Sequence, residues 1–387
     1  MVTSVPFLDL GLAHSELAAE LEQAARRVLR SGCYVRGPEG ERFEKEFARY
    51  CHVAGAVGVG NGLQALQLTL RAMGVGRGDE VLVPAHTSIA TWLAVTHAGA
   101  RPVPVEPDPC TMLIDPSRVE DSLGPRTAAI LPVHLYGMPA DMDALTAITR
   151  EHGLALIEDA SQAHGARLRG APVGSLSDAA AFSLYPTKNL GAAGDAGIAV
   201  SDDEWLLERV RMLANYGERR RHQSELRGHN SRLDELQAAL LRVKLRRLDD
   251  WNARRRARAE QYLRTLAGCP GLELPGVTEG ALPVWHQFVI RTGERDKVRE
   301  ELGRRGVETL VHYPIPPHQT AAYASDYPDR LPITEQLAAS VLSLPISPQL
   351  SEAACAHVCD ALLASLAAVR GSLGARAYLD SPITNRR

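Results

Sequence analysis

The stretch LALIEDASQAHGA, residues 154–166, and the stretch AAAFSLYPTKNLGAAGDAG, residues 179–197, decide the fold of this chain. Each begins with a short apolar run that predicts a β-strand, LALIED (154–159) and AAAFSLY (179–185). Apolar runs with so few charges are typical of strands that are buried on both faces of a parallel sheet. Both strands end in polar residues, and ligands bind at the carboxyl ends of strands in open parallel sheets.

The sequence around these two strands alternates between strand and helix patterns. Further strands are predicted at 56–60, 80–85, 101–106, 127–135 and 197–202. Helices between them are predicted at 62–74, 89–99, 141–153 and about 203–215. The prolines of RPVPVE (101–106) indicate an edge or irregular strand, because proline cannot donate to a sheet ladder. The alternation predicts an α/β fold with a largely parallel sheet covered on both faces.

Helical periodicity marks both flanks of this region. An amphipathic helix is predicted at 14–30, before Gly32. The segment 231–268 has no proline and no internal glycine, and it predicts one long helix that bridges two domains. Its arginines either form a solvated helix face, which we favour, or an anion site.

The C-terminal third predicts a small α+β domain. It contains a strand pattern at 286–292, a helix pattern near 295–305 and an extended segment at 307–313. We therefore predict a large domain at 1–250 and a small C-terminal domain at 251–387. The last dozen residues are predicted to form a loose tail.

Composition excludes several classes of protein. The chain has 387 residues, of which 45% are apolar and 23% are charged, and its net charge is −3. These values are those of a globular protein and give no hint of a nucleic-acid partner. No charge-free stretch approaches the ~20 apolar residues of a membrane span. The N-terminus lacks the apolar segment of a signal peptide, and the cysteines are scattered, so reduced thiols in a cytoplasm are expected.

Two cysteines invite a metal interpretation. Cys355 and Cys359 flank His357 in SEAACAHVCDALLASL. The same spacing puts both cysteines and Leu362 on one face of a helix, so we favour core packing over a metal site.

Three sites carry residues that suit chemistry, and each also has an ordinary structural explanation. Asp159 ends a strand and can face a ligand or cap a helix. Lys188 lies between a strand and a glycine-rich loop, where it is a Schiff-base nucleophile or an exposed lysine. The turn in VGNGLQALQL (59–68) joins a strand to a helix and suits a phosphate. Its spacing is not GxGxxG and no GxxxxGK[ST] occurs, which argues against dinucleotide and Walker-type sites.

The order of these sites resembles that of pyridoxal phosphate (PLP) enzymes of fold type I, in which a phosphate turn precedes a strand-end carboxylate and a lysine. Here Lys188 follows Asp159 by 29 residues. The motifs IEDASQAHGA, FSLYPTKNLGAAGD and VHYPIPPHQ resemble those of the DegT/DnrJ/EryC1/StrS family of sugar aminotransferases. The similarity extends from about residue 6 to about residue 365. It implies a mostly parallel seven-stranded sheet in the large domain and a smaller C-terminal α+β domain.

The resemblance also implies roles for single residues. Lys188 matches the lysine that forms the Schiff base with PLP, and Asp159 matches the carboxylate that pairs with the pyridine nitrogen. Gln162 matches the residue that faces the phenolic oxygen of the cofactor. An adjacent negative charge favours the protonated pyridine, which withdraws electrons. Turnover would pass through the pyridoxamine phosphate form.

The phosphate of PLP has its own implied ligands. Ser183 matches a phosphate ligand, and the turn at Gly62 and Leu63 offers backbone N–H groups. Asn230 matches an asparagine that reaches the phosphate from the neighbouring subunit. The resemblance therefore implies a homodimer with shared active sites.

The implied reaction moves an amino group from L-glutamate to a dTDP-linked keto-6-deoxyhexose, with the C3 ketone favoured. Ketones at C4 and cyclitols remain open. Arg219, in a run of three arginines, either meets the nucleotide diphosphate or lies in a solvated loop. Tyr313 and His318 match a family segment near the substrate, and Tyr185 is a further candidate for the pocket. A structural role explains His318 nearly as well, and strand-end packing explains Tyr185 equally well.

Two parts of the chain depart from the family pattern. The family usually has an aromatic side chain that stacks on the pyridine where this chain has Ser88, and Trp92 is too far along the helix to replace it. Leu63 and Gln64 stand where Thr or Ser is common.

Three rival functions differ in the residues that they need. A related dehydratase would have histidine in place of Lys188, and a nicotinamide oxidoreductase would need a GxGxxG turn. A regulatory protein on the same fold would have no need of Lys188 and Asp159 together.

Overall fold

The structure is a computed structural model that describes residues 4–379, with side chains to residue 371. Its helices are α1 (Leu10–Glu16), α2 (Ala18–Ser31), α3 (Pro38–Cys51), α4 (Gly62–Ala72), α5 (Ile89–Ala98), α6 (Pro116–Asp121), α7 (Met142–His152), α8 (Glu204–Ala214), α9 (Glu235–Leu245), α10 (Leu248–Leu266), α11 (Arg295–Arg304), α12 (Pro332–Ser340) and α13 (Glu352–Leu379). Short 3₁₀ turns lie at Leu135–Gly137 and Pro317–Gln319.

The strands form one large sheet and three small ones. They are β1 (Gly55–Val59), β2 (Glu80–Pro84), β3 (Arg101–Val105), β4 (Thr127–Ile130), β5 (Ala155–Asp159), β6 (Arg167–Leu168), β7 (Ala171–Pro172), β8 (Ala179–Ser183), β9 (Gly197–Ser201), β10 (Glu218–Arg220), β11 (Gln223–Ser224), β12 (Ala281–Leu282), β13 (Phe288–Arg291) and β14 (Val341–Leu344).

The large sheet has seven strands in the order β1-β9-β8-β5-β4-β2-β3. Only β9 runs against the others, because it pairs antiparallel with both β1 and β8. The predicted α/β fold with a mostly parallel sheet is confirmed, and the proline-containing β3 is an edge strand as expected. The carboxyl ends of β1, β5 and β8 therefore lie along the same edge of the sheet.

Two predicted helices are interrupted in the structure. The N-terminal helix divides at Leu17, whose side chain is buried against α9 and Trp251. The predicted long helix at 231–268 divides at Arg246 and Arg247 into α9 and α10. Asp249 and Asp250 in the first turn of α10 favour a new helix start there, since negative charge stabilises a helix N-terminus. Helix α10 then carries the chain from the large sheet to the C-terminal core.

That core contains α10, α11, α13 and the β13–β14 pair. Cys355, Cys359 and Leu362 are fully buried in it, so the predicted core face of α13 is confirmed. No cluster of potential metal ligands occurs among the described residues. The segment Glu352–Gly371 of α13 is long and apolar enough to cross a membrane, with a mean hydropathy of 1.5, but its apolar face packs in this core. The predicted loose tail lies largely outside the described residues.

Candidate active site

A cavity of about 570 Å³ opens at the carboxyl edge of the large sheet. It brings together most of the residues singled out from the sequence, namely Gly62, Leu63, Ser88, Asp159, Gln162, Ser183, Tyr185, Lys188 and Tyr313. The β-strands explain this convergence, because Asp159 ends β5, Ser183 ends the neighbouring β8, and Gly62 follows β1.

Lys188 enters the cavity from a tight turn after β8. Its backbone N–H donates to the carbonyl of Tyr185 at 2.9 Å. The turn needs glycine at 191, since a Cβ there would lie 2.3 Å from the carbonyl oxygen of Pro186. Burial lowers the pKa of Lys188 to about 8, although the carboxylate of Asp159 acts in the opposite direction. Near neutral pH, Lys188 is therefore an unprotonated amine in a useful fraction of the molecules, which is the form that a nucleophile or base requires.

Asp159 is held by a chain of hydroxyl groups that the sequence did not reveal. The Thr91 hydroxyl donates to Oδ2 of Asp159 at 2.9 Å, and the Ser161 N–H donates to Oδ1 at 3.2 Å. Because the carboxylate can only accept, the Thr91 oxygen is free to accept from the hydroxyl of Thr87, 3.2 Å away. Both threonines are buried. Their spacing of four residues, at the start of α5, is the one signal that could have identified the pair.

The neighbouring Glu158 has a different role, although it lies in the same strand. Successive side chains on a strand point to opposite faces, so Glu158 turns away from the cavity. Its carboxylate accepts from the backbone N–H groups of Gly174 and Leu176 and from Nε2 of His134 at 2.9 Å. Glu158 thus fixes a loop, and Asp159 is the acid that serves the cavity.

The opposite end of the cavity suits an anion. Asn61 caps α4 by accepting from the N–H of Gln64 at 2.9 Å. The first N–H groups of a helix have no partner within it, so those of Gly62 and Leu63 remain available at the cavity wall. Glycine is required at 62, since a Cβ there would lie 2.5 Å from that of Ser183. The hydroxyl of Ser183 is thereby brought against the helix N-terminus.

Gln162 connects the large sheet to the C-terminal region. Its Oε1 accepts from the N–H of Tyr136 at 2.5 Å, and its Nε2 donates to the hydroxyl of Tyr313 at 3.2 Å. The hydroxyl of Tyr136 also contacts Nε2 of His86 at 2.9 Å and donates to the carbonyl of His312. Tyr313 is therefore held over the cavity by contacts with both regions.

Ser88 caps α5 and lines the cavity. Its Oγ accepts from the N–H of Ala90 at 3.3 Å. Trp92 is fully buried, donates from Nε1 to the carbonyl of Pro84, and packs edge-on against Tyr323 and Tyr327. Trp92 thus faces away from the cavity, in keeping with the expectation that it does not replace the missing aromatic side chain.

Three of the sequence candidates lie elsewhere in this chain. Arg219 is exposed on the β10–β11 hairpin and pairs with Glu225 at 3.3 Å. His318 is buried beside Glu335, 3.6 Å away, outside the cavity lining. Asn230 is exposed and bridges to Asn215. The cavity of a single chain therefore lacks any contribution from Asn230.

The expectation of a solvated arginine face on α10 is wrong for Arg255. Arg246, Arg247 and Arg254 are accessible and pair with acidic side chains. Arg255 is only 4% exposed, and its Nη1 donates to the carbonyl of Ile346 at 2.9 Å and more weakly to those of Trp285 and His286. Burial lowers the pKa of this guanidinium to about 10. It makes no ion pair among the described residues, so backbone carbonyls are its partners.

The sequence profile of the DegT/DnrJ/EryC1/StrS aminotransferase family matches residues 15–363. The chain is 57% identical over 362 residues to the "Erythromycin biosynthesis sensory transduction protein EryC1" of Saccharopolyspora erythraea, covering 93% of this chain and 99% of that protein. It is 55% identical over 360 residues to the "dTDP-3-amino-3,4,6-trideoxy-alpha-D-glucose transaminase" of Streptomyces venezuelae, covering 92% and 95%.

A solved structure extends the similarity to three dimensions. It is that of DesV from S. venezuelae "in complex with ketimine intermediate", which superposes with a TM-score of 0.92 at 54% sequence identity. The match covers 94% of this chain and 98% of DesV.

Proposed function

Because the chain belongs to the DegT/DnrJ/EryC1/StrS aminotransferase family, we propose that it moves the amino group of L-glutamate to the C3 ketone of a dTDP-linked 6-deoxyhexose. Transamination is the activity of the family. The observation that carries the proposal is the placement of Lys188 in one cavity with Asp159 and the α4 N-terminus. The C3 position is supported by the S. venezuelae relative, whose name specifies a dTDP-3-amino sugar.

The residues present fit pyridoxal phosphate. The N–H groups of Gly62 and Leu63 and the hydroxyl of Ser183 would hold its phosphate, and the glycine at 62 provides the close approach that such a cradle needs. Asp159 would hold the ring nitrogen. Lys188 would hold the aldehyde carbon. When bound, the cofactor supplies an aldehyde that carries nitrogen between substrates and a pyridinium ring that withdraws electrons.

The side chains that line the cavity or contact its residues have separate roles in the proposed reaction. Lys188 moves a proton at its Nζ, and the pKa of about 8 lets it accept and return that proton near neutral pH. Asp159 would face the ring nitrogen of the bound cofactor, and the hydrogen bond from Thr91 fixes the direction of its carboxylate. Gln162 holds Tyr313 at the cavity wall through the hydrogen bond between their side chains.

The proposal includes the oligomeric state of the protein and its location in the cell. We infer a homodimer in which Asn230 of each subunit completes the phosphate site of the other. Asn230 is exposed and lies outside its own cavity, which supports this arrangement. Exposed apolar side chains, such as Tyr34, Val35 and Tyr216, give the partner subunit a surface to cover. We place the enzyme in the cytoplasm, where its free cysteines would stay reduced.

Rival functions differ from this proposal either in the acceptor substrate or in the need for Lys188. The C4-ketosugar and cyclitol reactions would use the same Lys188 and Asp159, so only the acceptor distinguishes them. The name of the S. erythraea relative raises a regulatory function. A protein that only binds a ligand does not need an amine of depressed pKa beside a carboxylate, and Lys188 therefore favours catalysis.

Absorbance spectroscopy tests the proposal directly. We expect the purified protein to give a yellow band with PLP, to lose it with L-glutamate, and to regain it with a dTDP-3-keto-6-deoxyhexose. Lys188→Ala should abolish the reaction, and the exposed Lys297→Ala should retain it. Recovery with the 4-keto sugar alone would replace the C3 assignment. No band with PLP would overturn the enzyme assignment.

A further inference from the structure

His286 lines the active-site cavity and has no role in the reaction described above. It is two residues before β13 and only 8% exposed. Its side chain lines the 570 Å³ cavity and an adjoining cavity of about 370 Å³. Lys188 lines the first of these, and Arg255 lines the second. His286 thus stands between two cationic groups, the partly exposed Lys188 and the buried Arg255.

A buried amide network determines which ring nitrogen of His286 carries hydrogen. A backbone carbonyl can only accept, so the Asn252 amide nitrogen must donate to His164 O at 2.8 Å. The Oδ1 of Asn252 then faces Asn189, whose amide nitrogen donates to it at 2.9 Å and to Val284 O at 3.0 Å. Both amide orientations are therefore fixed.

This leaves Oδ1 of Asn189 as the partner of His286. The oxygen lies 3.1 Å from Nδ1 of the imidazole and can only accept. Nδ1 of His286 must therefore carry a hydrogen. In a neutral ring the other nitrogen, Nε2, then has a bare lone pair.

The surroundings keep the ring neutral. The charged and titratable groups that act most strongly on its charge are Lys188, Arg255, His312 and His164, none of them acidic. The acidic side chains that line the same two cavities are Asp159, Asp195 and Glu308. Burial, followed by the nearby Lys188, holds the pKa of His286 well below its usual range. His312 and His164 are themselves kept neutral, since burial lowers their pKa values to about 4 and about 3.

Nε2 is not sealed from the two cavities that His286 lines. It has no hydrogen-bond partner among the described residues, and it is not one of the side-chain atoms sealed from solvent without a partner. The wall between the two cavities thus contains a hydrogen-bond acceptor of fixed tautomer, and Lys188 lines one of these cavities. It cannot become a donor without taking a proton between two cationic groups.

We propose that His286 is a hydrogen-bond acceptor for a protonated amine in the active site, received at Nε2. The proposal rests on the function proposed above. Two amines can occupy this position, the Nζ of Lys188 and the amino group of the donor amino acid. Both are cations at neutral pH for at least part of the time, and both would act in the cavity that Lys188 and His286 line. A neutral acceptor there stabilises the ammonium without adding a competing positive charge.

The tautomer can be measured in the wild-type protein without any turnover. Long-range nitrogen–proton NMR spectra of protein labelled with nitrogen-15 histidine distinguish a protonated Nδ1 from a protonated Nε2. Loss of one pattern in His286→Gln identifies the signal. We expect Nδ1–H with a bare Nε2 at pH 7. A signal for Nε2–H, or for an imidazolium, would overturn the proposal whether or not the protein proves to be a transaminase.

A matched pair of variants tests the acceptor itself. Asparagine places a polar group near the position of Nδ1, whereas glutamine places one near that of Nε2. We expect His286→Asn to slow the loss of the yellow band with L-glutamate by about tenfold or more, and His286→Gln to be closer to wild type. Equal rates in both variants and the wild type would refute the role.

The source of the amine follows from where the effect appears. If Lys188 is the donor of the hydrogen bond, His286→Asn will shift the pH at which the band of the resting protein changes, before glutamate is added. If the amino acid is the donor, the resting protein will be unchanged and the KM for L-glutamate will rise. A wild-type protein that ignores glutamate would refute the proposed function instead, and the tautomer would still be readable.

Discussion

Replacing Lys188 by methionine should stabilise the cofactor-free protein at pH 7 while it abolishes transamination. Methionine is close to lysine in length and carries no charge, so it fills the same space without the cost of a buried ammonium. Burial lowers the pKa of Lys188 from 10.5 to about 8. A group that prefers its neutral form in the folded state opposes folding wherever its unfolded form is charged.

The size of this effect follows from the two pKa values. The difference between 10.5 and about 8 corresponds to roughly 3 kcal/mol of unfolding free energy. This is an upper bound, because the side chain is only partly shielded from solvent and the carboxylate of Asp159 loses a neighbouring cation in the variant. We therefore expect Lys188→Met to gain about 1–3 kcal/mol at pH 7.

The gain should depend on pH with a definite sign. Between pH 8 and pH 10.5 the unfolded lysine binds a proton that the folded one has lost, so wild-type stability rises with pH in that window relative to the variant. The advantage of Lys188→Met should be full below about pH 8 and should vanish towards pH 10.5.

Urea unfolding of the cofactor-free proteins at several pH values between 7 and about 10 measures this. Lys297→Met is the control, because Lys297 is exposed and forms a surface ion pair with Glu294. Its stability should follow that of the wild type at every pH. A Lys188→Met protein that is no more stable than wild type at pH 7, or whose advantage is the same at pH 7 and pH 10, would refute the reasoning.

Three further changes have definite expected outcomes. Thr91→Val should weaken PLP binding about tenfold or more in an absorbance titration, since it removes the hydroxyl donor to Oδ2 of Asp159, whereas Thr91→Ser should retain it; equal affinities would mean that the hydroxyl is irrelevant. Arg255→Met should lower the unfolding free energy by about 1–3 kcal/mol, because Arg255, unlike Lys188, donates to backbone carbonyls that methionine would leave unpaired, while Arg246→Met should stay within about 0.5 kcal/mol. Mixed dimers of a Lys188 variant and an Asn230 variant should regain activity at one of two sites, and no recovery after verified exchange would argue against a shared site.

The strands and the main site residues could be predicted because each depends on local sequence. Asp159 and Lys188 follow apolar runs, and parallel strands bring their carboxyl ends to one edge. Arg255 could not be placed, because its burial depends on carbonyl groups 30 to 91 residues away along the chain. The break after α9 was also missed, since helix periodicity continues through it.

The residues that contact the main site residues could not be predicted either, because their partners are distant in the sequence. Thr91 reaches Asp159 across 68 residues of sequence, and His286 reaches Asn189 across 97. A threonine in a helix and a histidine before a strand have no pattern that predicts these partners. Their roles follow only from the directions of hydrogen bonds, which the three-dimensional structure supplies.

The expected stability of Lys188→Met also bears on the choice between catalysis and regulation. A lysine whose neutral form is favoured costs the folded protein up to about 3 kcal/mol, a large part of the 5–15 kcal/mol that typically holds a domain together. Binding a phosphate at Gly62 and Ser183 needs no such cost, because helix N–H groups and a hydroxyl suffice. Only a reaction that uses a free amine benefits from it. If the gain in Lys188→Met is observed, it measures the stability that this chain has given up for an amine ready to react at neutral pH.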